Sequence, residues 1–267
     1  MTLLESESSG QKKEYKWENG CTYVGQWSKQ WPNRMHGNGT FTWGKSGTEY
    51  IGGFKDSMKH GTGVIVYKDG RRYGGDWKND KRDGEGHFKF AKESNVVSYE
   101  GEYKEDQIHG KGKMDFKDNS SYDGAFFNGK RHGRGKMVYS DRTIYDGDWK
   151  DDVPNGSGEI TWKGKQTYKG TFKDGQVTGH GEWKGSKEDS YKGDYVKAIM
   201  QGRGKLLYKD GHEYDGQWAN DLMHGQGTFK WKEEEGKIVF TGKWIEGEGR
   251  NGKLTREDGT VEDVCDE

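Results

Sequence analysis

Cysteine, proline and net charge are all scarce in this chain of 267 residues, and each shortage narrows what the protein can be. Two cysteines, Cys21 and Cys265, lie near opposite ends, which is too few for a disulfide framework or a zinc-binding set. Lysine and arginine number 44 against 45 aspartate and glutamate, giving a net charge of -1. Because no overall field draws such a chain to nucleic acid, we expect no nucleic-acid partner.

Long apolar runs are missing as well. Hydrophobic residues make up 28% of the chain, below the share usual for globular proteins. No apolar run approaches the roughly 20 residues of a membrane helix. The first fourteen residues are mostly polar, which argues against a secretory leader. These features predict an intracellular protein of the cytoplasm or cytoskeleton, with residues 1–14 forming a flexible polar segment.

Aromatic residues and glycine, in contrast, are abundant in this chain. The chain has 11 Trp, 15 Tyr and 10 Phe, far more than a disordered chain carries, and only 2 Pro. Its 45 glycines are about twice the usual share and lack the three-residue period of collagen. This combination predicts a folded chain whose apolar surface is concentrated in a few large side chains.

An aromatic residue followed two positions later by glycine opens a module that recurs along the chain. In one copy the module runs from Tyr214 through Trp218 to a second segment, His224 to Trp231. Recurrence at a period of 20 to 50 residues is typical of repeat architectures. The openers are Tyr23, Tyr50, Tyr73, Tyr99, Tyr122, Tyr145, Tyr168, Tyr191, Tyr214 and Phe240.

Within each module, residue types alternate with a period of two, which predicts two β-strands. We expect the loop between the strands to run from Ala219 to His224, so that each ring covers bare glycine backbone on the neighbouring strand. The expected facing pairs are Trp218 with Gly225, Gly216 with Gly227, and Tyr214 with Phe229.

These modules resemble the MORN repeat (membrane occupation and recognition nexus), whose signature is Tyr-x-Gly-x-Trp, a short spacer and a Gly-x-Gly strand. The resemblance covers residues 15–254, a half-repeat followed by about ten copies, with an acidic tail at 255–267. It implies an all-β fold: an extended single-layer antiparallel sheet of consecutive β-hairpins, twisted and elongated. In the tenth copy Leu254 follows Asn251-Gly252 where a second glycine is expected.

The ring-bearing face is the first candidate for partner binding. A sheet of this length is not expected to leave a whole face of aromatic rings exposed to solvent. Twist of the sheet should therefore bring neighbouring rings together and leave a groove. We predict that a partner helix or extended peptide lies along that groove. The candidate residues are Tyr122, Phe126, Tyr145, Trp149, Tyr168, Phe172, Trp183, Tyr191, Tyr195, Tyr214 and Trp218.

An outer apolar patch is the second candidate. Ile51, Val64 and Val66 fall on the opposite face of the second copy, where other copies are mostly polar, and Ile51 is predicted to face Val64. A lateral contact site and a tolerated β-branched pair both explain this pattern.

The repeat pattern does not bring together residues that could form a catalytic or metal-binding site. Recurring histidines are roughly one repeat, or 10 Å, apart, too far to share a zinc ion. A hydrogen-bonding residue that closes the loop explains the same position in every copy. The Gly-x-Gly pairs open no helix, so they do not indicate phosphate-binding loops. We expect no enzyme activity, no catalytic residue, no cofactor and no metal. The histidines are His36, His60, His109, His132 and His224.

The resemblance implies a non-catalytic scaffold or adaptor that binds other proteins of a multi-subunit assembly. Similar stand-alone arrays occur in ciliary radial-spoke heads and in cytoskeletal complexes of protists, so a cilium, axoneme or cytoskeletal setting is implied. The alternative is a phosphoinositide-binding membrane tether, which the family name and lysine-rich spots such as Lys78 to Arg82 favour. The near-zero net charge makes the membrane tether a weaker alternative than the scaffold. The oligomeric state is left open.

Overall fold

The computed structural model describes residues 13–29, 34–233 and 236–265. Over these residues the chain consists of β-strands joined by short turns, without helix, and forms one open antiparallel sheet of 22 consecutive strands. This confirms the predicted all-β sheet of successive hairpins. The predicted flexible segment 1–14 lies outside the described residues except for Lys13 and Glu14, which belong to the first strand.

Cα packing divides the chain into two units, Met1–Gly133 and Arg134–Glu267. In the first unit each strand from β1 to β10 pairs antiparallel with the next. In the second unit the same holds from β12 to β22. The described part of the chain contains no helix with the length and apolar character needed to cross a membrane.

The strands are β1 Lys13–Lys16, β2 Thr22–Trp27, β3 Met35–Thr42, β4 Glu49–Lys55, β5 Met58–Val66, β6 Arg72–Lys78, β7 Lys81–Lys89, β8 Val96–Lys104, β9 Gln107–Phe116, β10 Ser121–Phe127, β11 Lys130–Val138, β12 Ile144–Lys150, β13 Val153–Thr161, β14 Thr167–Lys173, β15 Gln176–Lys184, β16 Ser190–Val196, β17 Ile199–Leu207, β18 Glu213–Ala219, β19 Leu222–Glu233, β20 Gly236–Ile245, β21 Glu248–Arg256 and β22 Val261–Val264.

One glycine from each strand of β2–β10 and of β12–β21 lines up in a row across the sheet. Gly216 pairs with Gly204 on one side and with Gly227 on the other, and Gly227 pairs in turn with Gly242. The row runs from Gly25 on β2 to Gly124 on β10 in the first unit. In the second unit it runs from Gly147 on β12 to Gly252 on β21. The row is a strip of bare backbone along the ring-bearing face.

The opening tyrosine of each copy lies on this strip. A Cβ atom on Gly227 would sit 2.6 Å from the Cζ of Tyr214, so only glycine leaves room for the ring. Tyr214 is completely buried, and its hydroxyl donates a hydrogen bond to the Gln217 carbonyl at 2.9 Å. The expectation that rings cover glycine backbone is therefore confirmed for this strip.

The predicted register holds up to the glycine row and is wrong beyond it. Tyr214 faces Phe229 as predicted, but a β-bulge follows Gly216, and Trp218 pairs with Met223 instead of Gly225. Gly225 has a φ of 65°, in the left-handed region that glycine enters without steric cost. The first glycine of the second segment is thus a bulge residue, and it faces Trp244 of the next copy.

The turn inside the β18–β19 hairpin is shorter than the predicted loop from Ala219 to His224. Asn220 and Asp221 form a two-residue turn with φ values of 51° and 66°, as in a type I′ turn. The Asp221 N–H donates to the Met200 carbonyl of the preceding copy at 3.2 Å. Equivalent bonds join other tips, for example Gly247 to Met223 at 2.9 Å. Neighbouring hairpins are therefore linked at their tips as well as along their strands.

The tenth hairpin, β20–β21, differs from the expected alignment. Gly252 pairs with Gly242 and Leu254 pairs with Phe240, so Leu254 occupies the place of Phe229 and replaces no glycine. That prediction was wrong because the copy is one residue shorter at its bulge, where the left-handed glycine is lost. The acidic segment after it contributes β22, which pairs with β21.

Candidate functional site

The inner face of the sheet, defined as the face that carries the opening aromatics, is built from interlocked rings. Tyr191 contacts Tyr195 of its own copy and Trp218 of the next copy, each with centroids 5.2 Å apart and nearly perpendicular planes. Tyr214 repeats this with Trp218 and Trp244. Edge-to-face pairs add about 0.5–1.5 kcal/mol beyond their buried area. The rings therefore connect each hairpin to the next.

Indole N–H groups reinforce the same contacts. The Trp218 Nε1 donates to the Gly204 carbonyl of the preceding copy at 3.0 Å, and Trp149 donates to Gly135 at 3.0 Å. The carbonyls that accept these bonds belong to the glycine row or its equivalent position. Polar and apolar atoms of the rings are thus both used within the sheet.

The eleven predicted groove residues lie on this inner face, and most of them are inaccessible. Ten are buried, and Trp183 is half-buried. These side chains pack against one another. In this conformation of the sheet, a partner would contact only the outer edges of the row of rings. Whether the groove binds a partner stays a prediction.

Aromatics at the ends of the second strands are the accessible part of the inner face. The sequence analysis did not propose this position for binding. The signal that marks it is one more step of the alternation, two residues after the side chain that faces the opener. The half-buried side chains at this position are Trp43, Tyr67, Phe90, Phe116, Tyr139, Trp162, Tyr208 and Trp231.

A polar side chain three residues after the opener caps the bulge in six copies. The Gln217 Oε1 accepts the Gln226 N–H at 2.7 Å, and the Asp148 Oδ2 accepts the Ser157 N–H at 2.9 Å. These carboxylates and amides satisfy an N–H that the bulge removes from the ladder. The position was missed from sequence, although its acidic or amide residues recur. The six caps are Gln26, Asp76, Glu102, Asp148, Asp194 and Gln217.

The outer face of the first unit carries the predicted apolar residues. Ile51 pairs with Val64 as predicted, and on its other side it pairs with Thr40, which in turn pairs with Val24. Ile51 is 52% exposed and Val24 48%. Val24 was not part of the predicted patch. We call Val24, Ile51, Val64 and Val66 the outer patch.

Charged pairs recur on the outer face of the second unit. Glu213 lies between Lys205 at 2.8 Å and Lys230 at 2.9 Å, and these two ammonium groups lower the pKa of its carboxyl. A hydrogen bond from His180 at 3.0 Å is the main cause that lowers the pKa of Asp194. Most of these groups are exposed, so they set register and surface character and add little stability.

Residues at the recurring histidine position differ between copies in their hydrogen bonding. Gln201 accepts the Asn220 N–H at 3.1 Å, as expected for a residue that closes the loop. The buried Nδ1 atoms of His60, His109 and His132 make no hydrogen bond, so that explanation does not extend to them. Across residues 13–29, 34–233 and 236–265, no three His, Cys, Asp or Glu side chains converge on a metal-binding arrangement.

A hairpin per copy, a continuous glycine row and interlocked rings define a β-hairpin repeat protein. The MORN repeat family model matches nine segments, which together cover most of the chain, and the chain therefore belongs to the MORN repeat family. The tenth hairpin, in which Phe240 packs edge to face on Trp244, lies outside the matched segments. Those segments are residues 23–48, 50–71, 73–94, 99–121, 122–144, 145–166, 168–189, 191–213 and 214–233.

Among curated relatives, MORN repeat-containing protein 3 from Xenopus laevis is 37% identical over 82 residues, 28% of this chain. The match spans 33% of that relative's length. A virginiamycin B lyase structure from Staphylococcus aureus with quinupristin is 10% identical, with a TM-score of 0.14 over 98% of this chain and 86% of that one. A streptogramin B lyase structure is 14% identical, with a TM-score of 0.15 over 99% and 85%. Scores this low give no information on fold or activity.

Proposed function

We propose that this MORN repeat chain is a non-catalytic scaffold that binds partner proteins within a larger assembly. The observation that carries the proposal is the outer patch on β2 to β5. Packing between hairpins buries most of the inner rings, whereas Val24, Ile51 and Val66 of the outer patch are exposed.

The outer patch differs in chemistry from the same row of residues in several other copies. Farther along the same row, Glu100 pairs with Lys113, and in the second unit Lys169 pairs with Glu182. Single exposed apolar residues are ordinary on protein surfaces. Here, however, Ile51 and Val64 sit side by side on strands about 4.8 Å apart, with Val66 two residues beyond Val64. Thr40 lies between Ile51 and Val24. Such a surface suits the desolvated centre of a protein interface.

The finer setting that we propose is a ciliary, axonemal or cytoskeletal complex, such as a radial spoke. The support is the resemblance of this array to stand-alone MORN arrays of such structures. Fluorescence localisation of the tagged chain in ciliated cells tests the setting separately. Exclusion from the axoneme and the cytoskeleton would remove the setting and leave protein binding untouched.

Affinity purification with quantitative mass spectrometry tests the scaffold function. Ile51→Lys places a charge in the outer patch at an exposed position, so the fold should survive, and we expect stoichiometric partners to fall at least tenfold. Val196→Lys is the matched control, because Val196 is a comparably exposed β-branched residue of the outer face in the other unit.

Circular dichroism must show the same spectrum and melting temperature for both variants and the wild type. The proposal is wrong if the wild-type chain recovers no stoichiometric partner. It is also wrong if Ile51→Lys retains its partners at the level of Val196→Lys.

A further inference from the structure

The second copy has glycine at the position whose side chain caps the bulge in six copies. That residue is Gly53, which has no side-chain oxygen. The bulge itself is present, because Gly61 is left-handed with a φ of 70°. The Thr62 N–H takes the place of the Gln226 N–H, which the Gln217 side chain accepts at 2.7 Å. The second copy therefore has the donor of this hydrogen bond but no capping side chain to accept it.

A cap oxygen lies directly over the left-handed glycine of its bulge. In the third copy a Cβ on Gly84 would be 2.6 Å from the Asp76 Oδ2, which accepts the Glu85 N–H. A Cβ on Gly61 would meet no atom of the described residues within 4 Å. Gly61 and Thr62 are both exposed. An acceptor oxygen from another molecule can therefore reach the same place in the second copy.

Close contact between two strands keeps position 53 free of a side chain. A Cβ on Gly53 of β4 would collide with the His60 carbonyl oxygen of β5. A larger residue would have to push the two strands apart, so a cap oxygen cannot come from this position without moving the backbone. An acceptor for this bulge therefore has to come from solvent or from another molecule.

The pattern of charge at this place favours a carboxylate as the acceptor. In the third copy the acidic cap Asp76 is followed two residues later by Lys78, and the fourth and sixth copies repeat this order. The second copy keeps the lysine, Lys55, which is exposed, and lacks the acid. Asp76 also pairs with Thr62, but its carboxylate is bonded to the Glu85 N–H of the next strand at 2.9 Å. A carboxylate from a partner would complete the acid–lysine pattern, and a charge-assisted hydrogen bond is stronger than a neutral one.

This uncapped bulge adjoins the outer patch. Thr62 is two residues from Val64 on β5, and Gly53 is two residues from Ile51 on β4. Alternate residues of a strand lie on one face about 7 Å apart. Because Ile51 pairs with Val64, an apolar surface and a hydrogen-bond donor lie side by side at that spacing.

We propose that an extended acidic segment of a partner protein binds the second copy. Its Asp or Glu carboxylate lies over Gly61 and accepts the Thr62 N–H, and an apolar side chain two residues away packs on Ile51 and Val64. An extended segment fits because its alternate side chains have the same spacing as the two parts of the site. This inference rests on the proposed function, since the partner is one that contacts the outer patch.

Amide hydrogen exchange of the purified chain, followed by NMR, tests the donor without any partner. The Glu85 and Lys111 amides donate to capping carboxylates at 2.9 and 2.8 Å. After correction for intrinsic rates, the Thr62 amide should exchange at least tenfold faster than these two. Equal protection of the three amides would show that another group of the chain accepts the Thr62 N–H, and it would overturn the proposal.

Titration with short peptides tests the chemistry of the segment. The probe is acetyl-Thr-Ile-Thr-Glu-Thr-amide, and its two comparisons replace the glutamate by lysine or the isoleucine by serine. We expect a dissociation constant on the order of 1 mM for the probe, with a downfield shift of the Thr62 amide proton. Each comparison peptide should bind at least fivefold more weakly. A lysine peptide that binds as tightly as the probe would contradict the carboxylate site.

Two variants at one position locate the binding. Thr62→Pro removes the N–H, and bulges are among the places in a sheet that tolerate proline. Thr62→Ala keeps the N–H and is the matched control. With circular dichroism spectra like that of the wild type, the proline variant should bind the probe at least fivefold more weakly and the alanine variant within twofold. Equal binding by both variants would overturn the proposal. If Thr62→Pro does not fold, hydrogen exchange and the comparison peptides decide.

A second copy of this chain is the competing occupant, and analytical ultracentrifugation distinguishes it. Self-association that is lost in Thr62→Pro and kept in Thr62→Ala would overturn a separate partner, whereas a monomer at every concentration supports one.

Failure of this site and failure of the scaffold function give different results. A protected Thr62 amide would reject the site and leave partner recovery and its loss in Ile51→Lys intact. Absence of any stoichiometric partner from cells would reject the scaffold function, while exchange and peptide binding of the purified chain would be unchanged.

Discussion

Each hairpin contains glycines of two physical kinds. Gly227 has an ordinary extended backbone and is needed because the Tyr214 ring lies directly on it. Gly225 is needed because its backbone is left-handed, with a φ of 65°. The spacing Gly-x-Gly therefore records two separate constraints, one steric and one conformational.

Replacing a glycine under a ring should be costly. Gly227→Ala introduces a methyl group 2.6 Å from the Tyr214 Cζ, so the ring must leave its seat. We expect the free energy of unfolding to fall by about 1–3 kcal/mol, as for other overpacked sites. Urea unfolding followed by tryptophan fluorescence measures it.

Gly164→Ala is the control for that change, because its Cβ would meet no atom within 4 Å and its φ is not left-handed. It should shift the midpoint little. Equal losses in the two variants would show that the ring seat does not explain the glycine row, since the reduced entropy of the unfolded chain in a Gly→Ala variant favours the folded state.

Four turns between copies hold a residue other than glycine in the left-handed region. Glu188, at a φ of 74°, is one of them. Such a residue costs about 1–2 kcal/mol, and the added chain entropy of glycine recovers part of that cost. Glu188→Gly should therefore raise the free energy of unfolding by about 0.5–1 kcal/mol.

Differential scanning calorimetry of Glu188→Gly checks this gain, with Glu188→Ala as the control that keeps the backbone strain. An alanine variant as stable as the glycine variant would place the effect in the glutamate side chain instead.

At the scale of the hairpin, a substitution in the two-residue turn should be able to stabilise the fold. Lys197 and Ala198 form it in one copy with φ values of 52° and 65°, although neither residue favours positive φ. The double change Lys197→Asn and Ala198→Gly supplies the preferred type I′ dipeptide, and we expect a gain of up to about 1 kcal/mol in thermal unfolding.

The reverse change at another tip is the matched test. Gly175 follows Asp174 in the same kind of turn, with a φ of 78°, so Gly175→Ala should destabilise. A stabilised Gly175→Ala would contradict the turn geometry on which both expectations depend.

The hairpin also shows how far residue patterns specify this fold. Alternation and the tyrosine–glycine spacing predict the register from Tyr214 to Gly216, because ring and bare backbone must lie opposite. Beyond Gly216, a six-residue loop and a two-residue turn with a bulge fit the same number of residues. Only the turn chemistry of Asn220-Asp221 and the left-handed Gly225 separate these alternatives, and neither follows from alternation.

The candidate sites, too, could be predicted from the sequence only in part. The pairing of Ile51 with Val64 follows from alternation alone. The burial of the groove residues does not, since it depends on how rings of successive copies meet edge to face.

At the scale of the whole molecule, contacts join each copy mainly to its neighbours, so repeat stabilities and neighbour contacts add along the chain. The opening tyrosines repeat one chemical feature in this series: a buried phenol whose hydroxyl donates to a backbone carbonyl. Burial raises the pKa of Tyr23 and of Tyr214 to about 12, and it raises the pKa of Tyr103 to about 12 despite the nearby Arg82. Burial likewise raises the pKa of the other opening tyrosines for which a shift is resolved.

This repetition predicts a steep loss of stability in alkali. The unfolded phenol ionises near pH 10, whereas the folded one holds its proton to higher pH. Stability from these groups is therefore complete below about pH 10 and is lost as pH rises toward 12 and beyond, because the unfolded state releases protons first. Absorbance at 295 nm and circular dichroism, recorded together against pH, should show tyrosine ionisation and loss of β-structure in one transition above pH 10. Chain unfolded in guanidinium should titrate near pH 10. If the folded chain completes its tyrosine titration at that same pH with its β-structure intact, the rings are accessible and the buried ladder is wrong.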